Sequence, residues 1–226
     1  MQSISSGKLA LFDLDNTLLE GDSDHAWGEF LIGKSLVEEK AHREKNDHFY
    51  DQYKQGALDI HGYVAFTLEP VIHLNSKQRA QLLTEFMKQS VEPIILDKGR
   101  ELVRKHLDAG DFCIIITATN EFISAPIAKL FDIDLLIATE LQISNDKYNG
   151  KISGQPCYQD GKVAKLNAWI DLQENRFKLS DAVFYSDSIN DLPLLLEVAT
   201  PVAVDPDQKL REKAASDGWE ILTLRS

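Results

Sequence analysis

Several short apolar runs in this chain end in clusters of oxygen-bearing side chains, and that pattern limits the folds open to it. Leu9–Leu14 runs into Asp13-Leu14-Asp15-Asn16-Thr17. Phe112–Ile116 stops at Thr117-Ala118-Thr119-Asn120, and Ala182–Tyr185 at Ser186-Asp187-Ser188-Ile189-Asn190-Asp191. Runs this short and this apolar read as strands buried on both faces. From Pro93 onward they alternate with helical segments, Lys98–Ala109, Phe122–Phe131, Gly161–Leu172, Asp191–Val198 and one around Asp207–Ser216. Further strands are expected at Leu135–Ala138, Pro201–Val204 and Glu220–Leu224, and a turn at Asp146–Gly150 with Asn149-Gly150 as its tight pair. The alternation predicts an α/β fold, a doubly wound parallel sheet with helices on both faces. Ligands of such sheets sit beyond the carboxyl ends of the strands, so the polar clusters should share one site.

Between Asp24 and about Val91 no strand-like run occurs. Trp27, Phe30 and Leu31 form one apolar stripe at helical spacing, and Phe49, Tyr50 and Tyr53 another. We read an inserted all-helical cap domain at residues 19–92, with residues 1–18 and 93–226 forming the α/β core. The aromatics of the insert are expected to form its own core.

Charge narrows the chemistry. The 24 Lys and Arg against 36 Asp and Glu give a formal net charge of -12. That field repels nucleic-acid backbones and anionic membranes, so neither is an expected partner. It also repels a phosphorylated substrate, so a phosphate site needs local positive charge. Gathered at one sheet edge, Asp13, Asp15, Asp187 and Asp191 cannot all remain ionised uncompensated. Oxygen-only donors favour Mg²⁺, and Lys162, at the start of the helix before Ala182–Tyr185, supplies a second positive charge. The six histidines show no metal-binding spacing and receive no role. The two cysteines, Cys113 and Cys157, suggest no disulfide framework. With no signal-like or membrane-spanning run, a cytoplasmic protein is expected.

Asp-Leu-Asp-Asn-Thr at 13–17, Thr117 after a hydrophobic strand, Lys162, and the pair Asp187 and Asp191 resemble, in order, the four motifs of the haloacid dehalogenase superfamily. The resemblance spans Asp13 to Asp191. Its insert between the first two motifs is similar to the branch containing phosphoserine phosphatases. The resemblance implies a Mg²⁺-dependent hydrolase of small phosphate monoesters that works through an aspartyl phosphate. Asp13 would be the nucleophile and Asp15 the general acid and base. Thr117 and Lys162 would hold the phosphoryl oxygens. Asp13 and Asp187, with the Asp15 carbonyl, would bind Mg²⁺, while Asp191 and Asn190 would orient the metal's waters and the substrate loop.

Rival readings stand beside these. Thr119 competes with Thr117, and Lys165 lies one turn beyond Lys162. Asp22 sits where phosphoserine phosphatases carry an acid for the substrate ammonium, and it also reads as a helix N-cap. The glycines that follow the second motif in those enzymes are replaced here by Ala118-Thr119-Asn120. Phosphoserine and histidinol phosphate are the leading substrates. A phosphotransferase or phosphomutase with the same machinery is the alternative. A phospho-acceptor receiver domain is a remote one, since it needs neither Asp15 nor the helical insert.

Overall fold

The computed structural model describes residues 7–133, 135–144, 147–174 and 176–225. Its centre is a six-stranded sheet in the order β3-β2-β1-β6-β7-β8. The strands are β1 (Leu9–Phe12), β2 (Phe112–Asn120), β3 (Leu135–Thr139), β6 (Val183–Ser186), β7 (Thr200–Val204) and β8 (Glu220–Leu222). All their pairings are parallel. Strand order reverses between β1 and β6, whose register pairs Phe12 with Tyr185, and this junction is where ligands of open α/β sheets bind.

The apolar runs explain the sheet. Alternate residues of one run serve opposite faces. Ala10, Phe12, Cys113 and Ile115 enter one buried cluster, and Leu9, Leu11, Ile114 and Ile116 the other. Helices α5 (Asp97–Asp108), α6 (Glu121–Lys129), α7 (Asp160–Asp171), α8 (Leu192–Leu195) and α9 (Gln208–Asp217) accompany these strands. Local signals set their ends. Asp207 caps α9 by accepting from Leu210 N, and Gly218 closes it at φ 72°. Cys113 and Cys157 are buried free thiols, and burial pushes each up to about 12.

Two expectations need correction. β2 continues through Thr117–Asn120 instead of stopping at Ile116, since Thr117 and Thr119 are β-branched and suit an extended backbone. Asn149 and Gly150 lie within β5 (Lys147–Ile152), which pairs antiparallel with β4 (Leu141–Ser144). Gly150 takes φ 76° inside that strand. Ser144 pairs with Lys147, so the chain reverses before Asn149; Asp146 itself lies outside the described residues.

Helices α1 (Ser23–Gly33), α2 (Glu39–Gln55), α3 (Ile60–Leu68) and α4 (Ser76–Phe86) separate β1 from β2 in the chain. Fully buried Trp27 stacks on Phe30 and meets Phe86 and Phe122 edge-on, which ties α1 to α6. The chain leaves and re-enters the sheet region through two adjacent segments. Leu19 and Ile95 form an antiparallel bridge, Glu20 N donates to Ile94 O, and Leu96 N donates to Leu18 O. Among the described residues no helix is long and apolar enough to cross a membrane.

Candidate active site

The carboxyl ends of β1 and β6 bring Asp13 and Asp187 together across the point where strand order reverses. Asp13 N donates to Tyr185 O at 2.9 Å, fixing the loop after β1 to its neighbour strand. The Thr17 hydroxyl lies 3.2 Å from Asp13 Oδ2 and 3.3 Å from Asp187 Oδ1, and accepts from Asp187 N. Lys162 enters from the first turn of α7. Its Nζ donates to Asp13 Oδ1 and Asp191 Oδ2, both at 2.7 Å. Ser186 Oγ donates to the same oxygen of Asp191. Asp13, Asp191 and Lys162 are only 3%, 2% and 2% exposed, so this is a buried ion cluster and not a solvated pair.

Gly161 lets Lys162 take that place. A Cβ at Gly161 would lie 2.0 Å from the Pro156 carbonyl oxygen, too close for any side chain. Gly161→Ala is therefore expected to shift the start of α7, lowering kcat/KM at least about tenfold and stability by roughly 1–3 kcal/mol. Steady-state assays and denaturant melts check this, and wild-type values in both would remove the constraint.

Asp15 faces away from the ion cluster. Its Oδ1 accepts from Ser23 N at 2.6 Å and its Oδ2 from Thr119 Oγ1 at 2.7 Å. Thr117 Oγ1 accepts from Thr119 N. The two threonines that competed for one role thus have different partners. Thr119 fixes the Asp15 carboxylate, and both threonines line the same cleft as Asp13. Thr17 and Ser23 gave no separate sequence signal, because their parts depend on how the first loop folds back over β1.

The cleft beside Asp13 is narrow in this structure, with free volume of only about 20 Å³, on the order of one water molecule. Asp15, Asp22 and Asp24 line it together with Tyr50, Tyr53 and Tyr63. Asp22 is the N-cap of α1, its Oδ1 accepting from His25 N, and it also borders the cleft. Tyr50 and Tyr53, expected in the core of the helical insert, belong to the cleft instead. Asn190 is turned to α2. Its Nδ2 donates to Tyr53 O at 2.9 Å, and Gln159 Nε2 donates to Gly56 O at 3.2 Å. These two side chains clasp the C-terminal end of α2 to the loops after β6 and before α7.

Burial dominates the electrostatics. It pushes Asp13 up to about 7, against the pull of Lys162. It pushes Asp15 up to about 7 as well, with the charge of Asp22 adding to the effect. Asp187 is raised well above the usual carboxylate range by burial and then by Asp13 and Asp191. Burial opposes the Lys162 ammonium, but Asp13 and Asp191 outweigh it and hold the group charged. One ammonium is too little positive charge for these acids. Among the described residues no three His, Cys, Asp or Glu side chains form a ready metal cage. The reason is visible in the pairing: Asp15 is turned to Thr119 and Asp191 to Lys162. Asp187 and the second oxygen of Asp13, both in reach of the Thr17 hydroxyl, remain as oxygen donors not paired with Lys162, and that donor chemistry fits a hard divalent cation.

Comparison with known proteins identifies the family. The family model of haloacid dehalogenase-like hydrolases matches residues 10–196. A histidinol-phosphatase of Neisseria meningitidis is 42% identical over 219 residues, covering 96% of this chain and 99% of that protein. A phosphoserine phosphatase of Mycobacterium tuberculosis is 30% identical over 96% of this chain and 70% of its own length. Among solved structures, a protein of unknown function from Bordetella pertussis superposes with TM-score 0.90 at 37% identity, covering 98% of this chain and all 100% of that one. A substrate-bound phosphoserine phosphatase superposes with TM-score 0.69 at 15% identity, covering 97% and 93%, which shows a shared fold. By the extent of the family match and the identity to its relatives, this chain belongs to the haloacid dehalogenase-like hydrolases.

Proposed function

We propose that this hydrolase is a Mg²⁺-dependent phosphatase of histidinol phosphate that works through a phosphorylated Asp13. The observation that carries the substrate is the character of the cleft. Four aspartates, Asp13 among them, and three tyrosines line it, and its described lining residues include no Lys, Arg or His. Phosphoserine would bring a carboxylate into that acidic wall with no cation to meet it, at a cost in repulsion and desolvation. Histidinol phosphate carries an ammonium and an imidazole and no carboxylate. Its relative from Neisseria, named for the same substrate, supports this reading.

In this mechanism a carboxylate oxygen of Asp13 attacks phosphorus in line as the bond to the leaving alkoxide breaks. Asp15, pushed up to about 7 by burial, holds a proton near neutral pH and delivers it to that alkoxide. It then takes a proton from the water that cleaves the aspartyl phosphate, returning both carboxyl groups to their starting states. Lys162 has three N–H donors and engages two carboxylates, so one remains for a phosphoryl oxygen. The Thr117 hydroxyl is assigned to a second oxygen. Asp13, Asp187 and the Asp15 carbonyl would hold Mg²⁺, which when bound supplies charge against the phosphate dianion. Asp191 acts through Lys162, and Asn190 through its clasp on α2. Residues 19–92 are the cap in this reading and residues 1–18 and 93–226 the core. The cytoplasm is the working compartment, consistent with two free thiols.

The test is phosphate release from histidinol phosphate, phosphoserine and a neutral phosphate ester, with Mg²⁺ and with chelator. Histidinol phosphate is expected to exceed phosphoserine in kcat/KM by on the order of 10²-fold, and chelator is expected to abolish release from all three. Faster turnover of phosphoserine would overturn the substrate. Labelled water must also place its oxygen in the released phosphate; its absence would instead favour a phosphotransferase.

A further inference from the structure

We infer that Asp24 is the specificity residue that reads the imidazole of the substrate, separately from Asp22 and the ammonium. The inference rests on the histidinol phosphate reading and adds a residue to it. Asp22 and Asp24 both border the cleft, two positions apart at the start of α1, but their surroundings differ. Asp22 is half-buried and gives one oxygen to the end of its own helix at His25 N. Asp24 is buried, 7% exposed, and serves no cap.

A neighbour holds Asp24 in place. Asn120, fully buried at the end of β2, donates its Nδ2 to Asp24 Oδ1 at 3.1 Å. The Asn120 Oδ1 is buried as well and has no partner. Buried side-chain oxygens are nearly always paired, so an orphaned acceptor beside a buried carboxylate marks a place for a donor. Asn120 fixes the Asp24 carboxylate from behind, and Asp24 borders the cleft that aromatic Tyr63 also lines. A planar ring with an N–H edge matches such a subsite, with the ring against an aromatic face and the N–H on the Asp24 carboxylate. An ammonium alone needs only one such acid, and Asp22 supplies it. The second acid is what a substrate with two nitrogen-bearing groups needs.

The experiment compares histidinol phosphate with phenylalaninol phosphate, which keeps the ammonium and the ring bulk but lacks a ring N–H. In the wild type the ratio of kcat/KM values should be on the order of 10² in favour of histidinol phosphate, since losing the N–H leaves a buried acceptor unpaired. Asp24→Asn should bring that ratio to within about fivefold of one. Asp22→Asn should instead lower both substrates together and leave the ratio near its wild-type value. Equal loss on both substrates in Asp24→Asn would mean that Asp24 only braces Asn120, and would overturn the inference. A wild-type ratio retained in Asp24→Asn would do the same. Equal turnover of both substrates by the wild type would overturn the role of Asp24 while leaving an amino-alcohol phosphatase. Failure of the wild type to hydrolyse histidinol phosphate would remove the substrate reading and this inference with it. Should Asn at position 24 prevent folding, Asp24→Glu displaces the carboxylate by one methylene and is expected to cut the ratio about tenfold; an unchanged ratio there also counts against the inference.

Discussion

Asp13→Asn is expected to lose turnover by at least about 10⁴-fold while the protein stays folded. The amide has nearly the shape of the carboxylate but is a far poorer nucleophile toward phosphorus. The stability half of the prediction is what makes the test informative. Asp13 is a buried acid already pushed up to about 7, so the folded state gains little from its charge. Lys162 keeps its second carboxylate, Asp191, at 2.7 Å. An unchanged or raised melting temperature together with absent phosphate release would assign the residue to the reaction. Activity within about a hundredfold of wild type would refute the nucleophile, and the phosphorylated residue would have to be sought elsewhere.

Lys162→Met should damage both activity and stability. Removing the ammonium takes away charge stabilisation of the transferring phosphoryl group, worth on the order of 10³-fold in kcat. It also leaves Asp13 and Asp191 buried without their cation, and breaking such a cluster from one side typically costs about 3–5 kcal/mol. The pH dependence has a definite sign. Asp13 is pushed up to about 7 by burial, partly offset by Lys162, and without that lysine its pKa rises further. An acid with a raised folded-state pKa favours the fold at low pH, and that advantage disappears as pH climbs toward the folded value. The stability deficit of the variant should therefore be smaller near pH 5, where Asp13 is protonated in either protein, than near pH 8. Denaturant melts in chelator at both pH values measure it. A deficit independent of pH would mean that the methylenes of Lys162, and not its charge, matter to the fold.

The parallel sheet and the gathering of its terminal acids were legible because both follow from local rules. Buried strands must be apolar on both faces, and the topology brings their carboxyl ends to one edge. Asp13, Asp187, Asp191 and Lys162 meet at that edge for this reason. What the sequence hid depends on register and on loop geometry. Thr119 reaches Asp15 across 104 positions in the chain, a contact set only once β1 and β2 pair. Asn149-Gly150 carries a strong turn signal, yet the pairing of Ile143 with Tyr148 places both residues inside β5. Tyr50 and Tyr53 share an apolar stripe with Phe49, but only Phe49 joins the buried cluster with Tyr63 and Phe66. Helical spacing identifies a face without saying whether core or cleft covers it. Asp24 carries no sequence signal for a similar reason: beside Asp22 it resembles any acid in a first helical turn, and only its burial and its place on the cleft wall set it apart.

The bridge between Leu19 and Ile95 has a consequence for how such a protein can change over generations. The helical segment starts and finishes at nearly the same point, so the sheet experiences it as a surface loop closed at its base. Insertions of that form add little strain to their host, because closing entropy grows only slowly with length. The helices can therefore drift, lengthen or be exchanged for another graft while the acids below them keep their register. Under the proposed function, selectivity for the leaving group and the chemistry at phosphorus thus lie on separate parts of the chain, and a new substrate could be acquired without rebuilding the reaction.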